Sequence, residues 1–397
     1  MAEYTWAFDR SFLVFLLIAF VSMTTASRIR SLIPMPLIYG VLFILGFAFH
    51  ILPTDMLLSA NMIAVGTIAY NVLVVHSGTM INLKLLREKK QETFICILSM
   101  IVLISADVLI LTPVLGRGIA LLAPGSVVGG GASCAIASRL VLAEHPELSV
   151  FPWLIFMLQG LFSVPVVTWA LKKESLALVK EFRARGAGSE SGQGGVPPCS
   201  SRQPLCARIP TKYKTTPYYL GMIMIVTVVN NLLHQTVLSG MNINPNITAL
   251  CFGFLLGGLG LMDRAPLFKS DSYGLLILGL MGLMANTLAN CPWQAIVGYI
   301  PALLLVFVVS TAVLVLCGIA GAKICGFRPY RGIALTMNCV MGFPVNDMLL
   351  TNAAKTGETD AEQGYLKGQL SPVLGIGTML ISNALSTIVV SIMAMFV

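Results

Sequence analysis

Pro124-Gly125-Ser126-Val127-Val128-Gly129-Gly130-Gly131-Ala132-Ser133 breaks up one apolar segment of the chain, and Asn338-Cys339-Val340-Met341-Gly342-Phe343-Pro344-Val345-Asn346-Asp347 breaks up another. Glycine, proline and asparagine at this density make a poor continuous helix and leave backbone N–H and C=O groups unpaired. In a bilayer such groups survive only inside protein or beside a water-filled cavity. The two segments, 119–142 and 332–351, are therefore expected to be re-entrant hairpins.

The rest of the chain supplies the membrane context. Of 397 residues, 56% are hydrophobic and 11% charged, and mean hydropathy is +0.86. A soluble domain carries about 25% charge, so a water-soluble globule is excluded. A bilayer crossing needs about 20 apolar residues. Suitable windows run over 11–26, 33–51, 57–81, 93–113 and 148–171, then over 217–239, 246–262, 267–288, 294–322 and 370–396. The expected fold is all-α and polytopic, with about ten transmembrane helices plus the two hairpins. Window 11–26 has Glu3, Asp9 and Arg10 before it and Arg28 and Arg30 after it, the reverse of a secretory signal, so it is expected to stay as a span. Nine cysteines and four histidines form no C-x-x-C or H-E-x-x-H, so no metal framework, disulfide framework or organic cofactor is expected.

The net charge of +8 reports orientation and not nucleic-acid binding. With the N-terminus outside, ten spans and two hairpins put 22 of the 25 Lys and Arg residues on the cytoplasmic side; only Arg10, Arg117 and Arg139 fall elsewhere. Both termini then face outward. A polar, basic stretch over 172–215, Gly/Ser-rich from Gly186 to Gly195, is the expected cytoplasmic linker. It divides the chain into a first repeat, 1–171, and a second, 216–397.

Shifting the chain by 211 residues lays Pro34 on Pro245 and Gly129–Gly131 on Val340–Gly342, with the register slipping only before the last window, where Thr356–Gln369 read as a longer polar connection. Halves of five spans each, an odd number, must be inverted relative to one another. Inverted repeats with broken helices at matched positions point to a secondary transporter with its site near the midplane. The hairpins would enter from opposite faces and meet at their tips.

The chemistry follows from helix ends. The returning halves, Ala132–Leu142 and Val345–Ala354, present N–H groups and a positive dipole end to an anion. Gly129, Gly130, Gly131 and Gly342 allow close backbone approach or, alternatively, tight helix packing. Asp347 reads either as a ligand for sodium or a proton or as a helix N-cap. Asp107 reads as an ion-coupling group or a structural hydrogen-bonding one. Arg139 could clamp a carboxylate or snorkel to the interface. Asn338, Asn346 and Asn352 offer amide oxygens to sodium and amide nitrogens to a carboxylate, or bond between helices. Asn71, His76, Asn230, Asn231, His234, Asn286 and Asn290 are read mainly as packing.

Across nearly its whole length the chain resembles the bacterial sodium/glutamate symporter family. The resemblance is carried by Ile33-Pro34-Met35-Pro36, Ser77-Gly78-Thr79-Met80-Ile81-Asn82, Gly125–Ser133 with Ser138-Arg139-Leu140, and Asn338–Phe343 with Asn352. It implies a sodium-coupled carrier of an amino-acid dianion, divided into scaffold and mobile portions, moving as an elevator in the inner (plasma) membrane as a homodimer. On that likeness Gly129, Gly130, Gly131, Ala132, Ser133, Arg139, Gly342, Phe343, Asn346 and Asn352 are the expected substrate contacts, and Asn338, Asp347 and Asp107 the ion-coupling groups, with sodium at Asn338, Asn346 and Asp347. The family's first turn commonly carries His and Thr among its glycines, and its second continues Ala-Thr-Pro-Thr-like, where this chain has Gly129–Ser133 and Phe343–Asp347. Citrate, malate, malonate and bile acids thus stay open beside glutamate.

The expected function is sodium-coupled symport of a small organic anion, without catalytic residues. Three alternatives remain: a proton-coupled carboxylate carrier, a channel or transport-dead sensor on the same scaffold, and an intramembrane aspartyl protease using Asp107 and Asp347.

Overall fold

Proline stands in the first turn of helix after helix, at Pro36, Pro217, Pro245, Pro266, Pro301 and Pro329. Its missing N–H costs nothing there and its fixed φ suits the helix. The computed structural model describes residues 4–29, 33–184, 206, 209–238, 243–341 and 345–397. The first half runs α1 (Phe8–Arg28), α2 (Met35–Ala48), α3 (Met56–Ser59), α4 (Met62–Met80), α5 (Leu83–Glu88), α6 (Lys90–Leu115), α7 (Arg117–Val128), α8 (Gly131–Val141) and α9 (Phe151–Ala184). The second runs α10 (Thr216–Thr236), α11 (Pro245–Gly258), α12 (Pro266–Lys269), α13 (Tyr273–Ala289), α14 (Trp293–Gly298), α15 (Ile300–Cys325), α16 (Pro329–Met337), α17 (Val345–Ala354), α18 (Asp360–Ile376) and α19 (Ser386–Met393). A 3-10 turn, Asn338–Val340, follows α16, and a π-helical stretch, Gly377–Leu385, joins α18 to α19. No strand occurs among the described residues. The fold is all-α, and among the described residues seven helical stretches are long and apolar enough to cross a membrane.

The halves repeat one another helix by helix. α1 and α10 have 21 residues each, α2 and α11 have 14, and α6 and α15 have 26. The 34 residues of α9 are matched by the continuous run from Asp360 to Met393. That run corrects the expected polar connection Thr356–Gln369. Thr359 and Glu362 form a capping box that starts α18 at Asp360, so the register does not slip. α9 likewise continues to Ala184, well past the expected boundary at 172, because Lys172, Lys173, Glu174, Lys180 and Glu181 are good helix formers. Residues 185–205 and 207–208 of the linker lie outside the described residues. α2 and α11 are shorter than their windows, about 21 Å each against a hydrocarbon core of about 30 Å.

Contacts sort the helices into two groups. α1–α4 pack with α10–α13, and α6–α9 with α15–α19; α2 on α9, α11 on α19 and α4 on α8 join the groups. The contacts are reciprocal: α2 meets α13 as α11 meets α4, and α7 meets α19 as α16 meets α9. α1 and α10 are peripheral, each with only 28% of its apolar window buried.

Lipid tails are as apolar as leucine, so helices in a bilayer associate through close contact and hydrogen bonds. Glycines make the tightest crossings. A Cβ on Gly78 of α4 would fall on the Leu250 carbonyl oxygen of α11, and one on Gly332 of α16 would fall on the Gly318 carbonyl oxygen of α15. Gly78→Leu is expected to lower stability by about 3 kcal/mol, read by thermal melting in detergent. Gly274→Leu, where a Cβ meets nothing within 4 Å, is the control and should melt like the parent. Equal melting of both variants would refute the close crossing.

Charge gathers at one end of the bundle. Arg331 pairs with Glu92 at 2.7 Å, Arg328 with Glu174 at 3.3 Å and with Glu181, and Arg183 with Glu362 at 2.7 Å and Glu358 at 2.9 Å. Lys214 and Lys269 hold Asp263 at 2.7 and 2.6 Å. At the other end Thr5 N donates to Asp55 at 2.7 Å and Tyr299 Oη to the Glu147 carbonyl at 3.0 Å. Burial pushes the Asp263 carboxyl up, but the hydrogen bonds from Lys214 and Lys269 outweigh it and hold the group below its ordinary value. The resulting stabilisation is complete above about pH 4 and drains away as pH falls through the lowered folded value. Asp263→Asn should therefore melt lower than the parent at pH 7, with the gap closing below about pH 4. A gap independent of pH would contradict this.

Candidate functional site

The first break is two residues long. α7 ends at Val128, Gly129 and Gly130 are extended, with φ of −90° and −81°, and α8 begins at Gly131. An added Cβ on Gly129 would lie 2.5 Å from both the Gly125 carbonyl oxygen and the Ser133 Cβ, so this position requires glycine. At Gly131 it would come 3.2 Å from Phe156, whereas at Gly130 it would meet nothing within 4 Å. The open side of the break is therefore at Gly130. The freed carbonyls have a partner: with its amide nitrogen turned toward them, Gln159 of α9 lies 3.3 Å from Val127 O and 3.2 Å from Gly129 O. Ser133 Oγ lies 2.8 Å from Ser386 Oγ and 3.5 Å from Thr387 Oγ1 on α19. Ser386 spends its hydrogen on the Ser382 carbonyl at 2.6 Å, so Ser133 is the donor.

In the second break the 3-10 turn leads into an extended Met341, φ −116°, and helix resumes at Val345. Gly342, Phe343 and Pro344 lie outside the described residues, as does the Asp347 side chain. Asn338 is fully buried and donates through Nδ2 to the Leu374 carbonyl at 2.8 Å and to Thr378 Oγ1 at 3.3 Å. Asn346 Nδ2 reaches Met341 O at 3.5 Å and the same Thr378 hydroxyl. Both amide oxygens are buried with no hydrogen-bond partner among the described residues. Thr378 opens the π-helical stretch, where the ordinary i→i−4 ladder is interrupted, a feature that recurs at functional sites.

No protein-family model and no curated protein matches the chain. The likeness to the sodium/glutamate symporters thus rests on the motifs quoted above. The structure brings Asn338 and Asn346 together on Thr378, and Ser133 onto α19, with half-buried Ala132 in the same first turn of α8; Gly131 instead faces Phe156. Asn352 is exposed, because six residues of helix separate it from Asn346 and turn it about 240° away. Arg139 is also exposed, stacked 4.9 Å over the Tyr70 ring. Tyr70 Oη donates to Asn246 Oδ1 at 2.8 Å, tying α4 to α11. Asp107 is fully buried and its two oxygens accept from Ser310 Oγ of α15 at 3.2 and 3.1 Å. It ties α6 to α15 and bonds to neither break.

Four polar residues of the last helix were not expected: Thr378, Ser382, Ser386 and Thr387. Their signal was the spacing of 378, 382 and 386 by four within an apolar window, which puts hydroxyls on one helical face. Gln159, likewise unexpected, is a lone amide in the apolar stretch of α9. Of the residues read as packing, Asn230 donates to Pro245 O at 3.1 Å and accepts from Thr248 at 2.6 Å, and His234 bonds to the same hydroxyl at 2.7 Å.

Proposed function

We propose that the protein is a secondary active transporter that uses sodium to drive uptake of a small organic anion, glutamate or a related amino or dicarboxylic acid, by alternating access. Two inverted five-span repeats would each contribute one re-entrant hairpin, α7–α8 and α16–α17. The observation that carries this reading is the pair of helix breaks at equivalent places in matched halves, each lined by buried polar groups. The hairpin ends support it. Gly118, opening α7, packs against Leu148 and Val397, and Leu148 follows α8, so this pair starts and finishes at one end. Arg328, at the start of α16, joins Glu174 and Glu181, and Glu358, which follows α17, joins Arg183 on the same end of α9. The second pair thus starts and finishes at the opposite, charge-rich end, which would face the cytoplasm.

Each break has a chemical task in this scheme. The N-terminus of α8, with the N–H groups of Gly131–Ser133, suits a carboxylate. The amide oxygens of Asn338 and Asn346 suit a hard cation such as sodium. The groups of helices defined by their contacts correspond to a scaffold, α1–α4 with α10–α13, and a moving portion, α6–α9 with α15–α19. Uptake of labelled glutamate, aspartate, citrate and malate into proteoliposomes, with and without an inward sodium gradient, tests the proposal. Sodium-driven accumulation of at least one is expected. Accumulation of none rejects the carrier, and accumulation driven by a pH gradient without sodium replaces sodium by protons.

A further inference from the structure

A cavity of about 590 Å³ opens at the charge-rich end, away from both breaks, between the turn that follows α4 and the end of α11. Lys84, Arg87, Lys90 and Arg264 line it against a single acid, Glu88. Lys84 and Glu88 face each other at 4.0 Å, both about half exposed. Arg87, Lys90 and Arg264 have no ion-pair partner among the described residues. Asp263, beside Arg264, is already held by Lys214 and Lys269. Three cationic side chains thus converge on one hollow without an internal counter-charge.

The walls say what kind of anion belongs there. Lys90 begins α6, and Phe94, Ile97 and Ile101 follow it on the same helical face, exposed by 52, 40 and 56%. On α11, Leu255 and Leu259, exposed by 52 and 66%, each directly follow a residue that lines the cavity, Phe254 and Gly258. The basic hollow therefore caps two apolar stripes that run down the outside of the bundle. A phosphate with acyl chains beneath it matches both features, whereas a free phosphate matches only the first. We infer that this cavity is a binding site for the headgroup phosphate of an anionic phospholipid, whose acyl chains lie along α6 and α11. Basic pockets between transmembrane helices on the cytoplasmic side have the electrostatics for such headgroups. The site does not depend on what the protein carries.

The test uses the full chain purified in a neutral detergent, with lipid retention read by native mass spectrometry and stability by thermal melting. Phosphatidylglycerol should be retained at least tenfold better than phosphatidylcholine of the same acyl chains, and should raise the melting temperature. Arg87→Gln with Arg264→Gln should weaken phosphatidylglycerol retention about thirtyfold, since each basic group near an anionic lipid contributes about fivefold. Lys172→Gln with Lys173→Gln, on the exposed surface of α9, should leave retention unchanged. Gly258→Leu adds a side chain where a Cβ meets nothing within 4 Å, so it fills the hollow without a clash and should also weaken retention. Gly258→Leu reads the same site should the arginine variant not fold. Equal retention of the two lipids, or wild-type retention in Gly258→Leu, overturns the site. Glycerol 3-phosphate stabilising the protein as much as the lipid at equal concentration overturns the lipid assignment in favour of a soluble phosphate.

Discussion

Arg331→Met is expected to destabilise the detergent-solubilised protein by about 3–5 kcal/mol, the largest effect of any single substitution outside the helix breaks. Arg331 lies in α16 and its Nη2 is 2.7 Å from Glu92 of α6, whose side chain is 5% exposed. The guanidinium also rests 4.7 Å over the Phe327 ring. Removing it strands a carboxylate that water reaches poorly, and that stranded charge accounts for most of the cost. The pair itself contributes less, because bringing two ions out of water nearly offsets their attraction. Glu92→Gln with Arg331→Met should therefore recover most of the stability that Arg331→Met loses, a large coupling in a double-mutant cycle. Thermal and denaturant unfolding of the four proteins in one detergent measures it. A loss below about 1 kcal/mol for Arg331→Met would mean that the pair behaves as a solvated surface contact.

Much of this arrangement could be read from the residues. Gly129 and Gly130 fall between helices, and Met341 is extended ahead of α17, because clustered glycine and proline cannot hold a helical ladder, and that signal is local. Arg183, Lys214, Lys269, Arg328 and Arg331 gather at one end, and the basic stretches they come from stand out along the chain. What escaped depends on phase and on partners. Charge inside α9 looked like the end of a span, yet helix-forming Lys and Glu carry it to Ala184. The Thr359–Glu362 capping box is a local signal that outweighs the polarity of the stretch it opens. Asn338, Asn346 and Asn352 share a composition but not a face: the first two meet on Thr378, and Asn352, six residues beyond Asn346 on the same helix, turns away from them. Thr378 became part of the site only when folding brought it under both amides, which no spacing rule reports.

Sodium, but not potassium, is expected to raise the melting temperature of the protein, and Asn338→Ala to abolish that response along with sodium-driven uptake. The expectation starts from two buried amides whose nitrogens are committed to Leu374 O, Met341 O and Thr378, while both oxygens lack partners among the described residues. A buried acceptor without a donor costs about 1–3 kcal/mol, and a small hard cation shared between two such oxygens removes the cost. Binding to the folded state alone then stabilises by about 2.7 kcal/mol at a hundred times the dissociation constant. Asn338→Ala loses one of the two oxygens, while the Leu374 carbonyl keeps its bonds from the Gly377 N–H and from Thr378 Oγ1, the latter at 3.1 Å. Some stability is lost in every salt, so the ion-dependent difference is the measurement that counts. Asn346→Ala should behave alike, and Asn352→Ala, exposed on the far side of α17, should keep the full sodium response. A response that potassium reproduces, or that survives in Asn338→Ala, would take the coupling ion away from these amides. The second break would then need another reason for holding two buried oxygens that have no partner among the described residues.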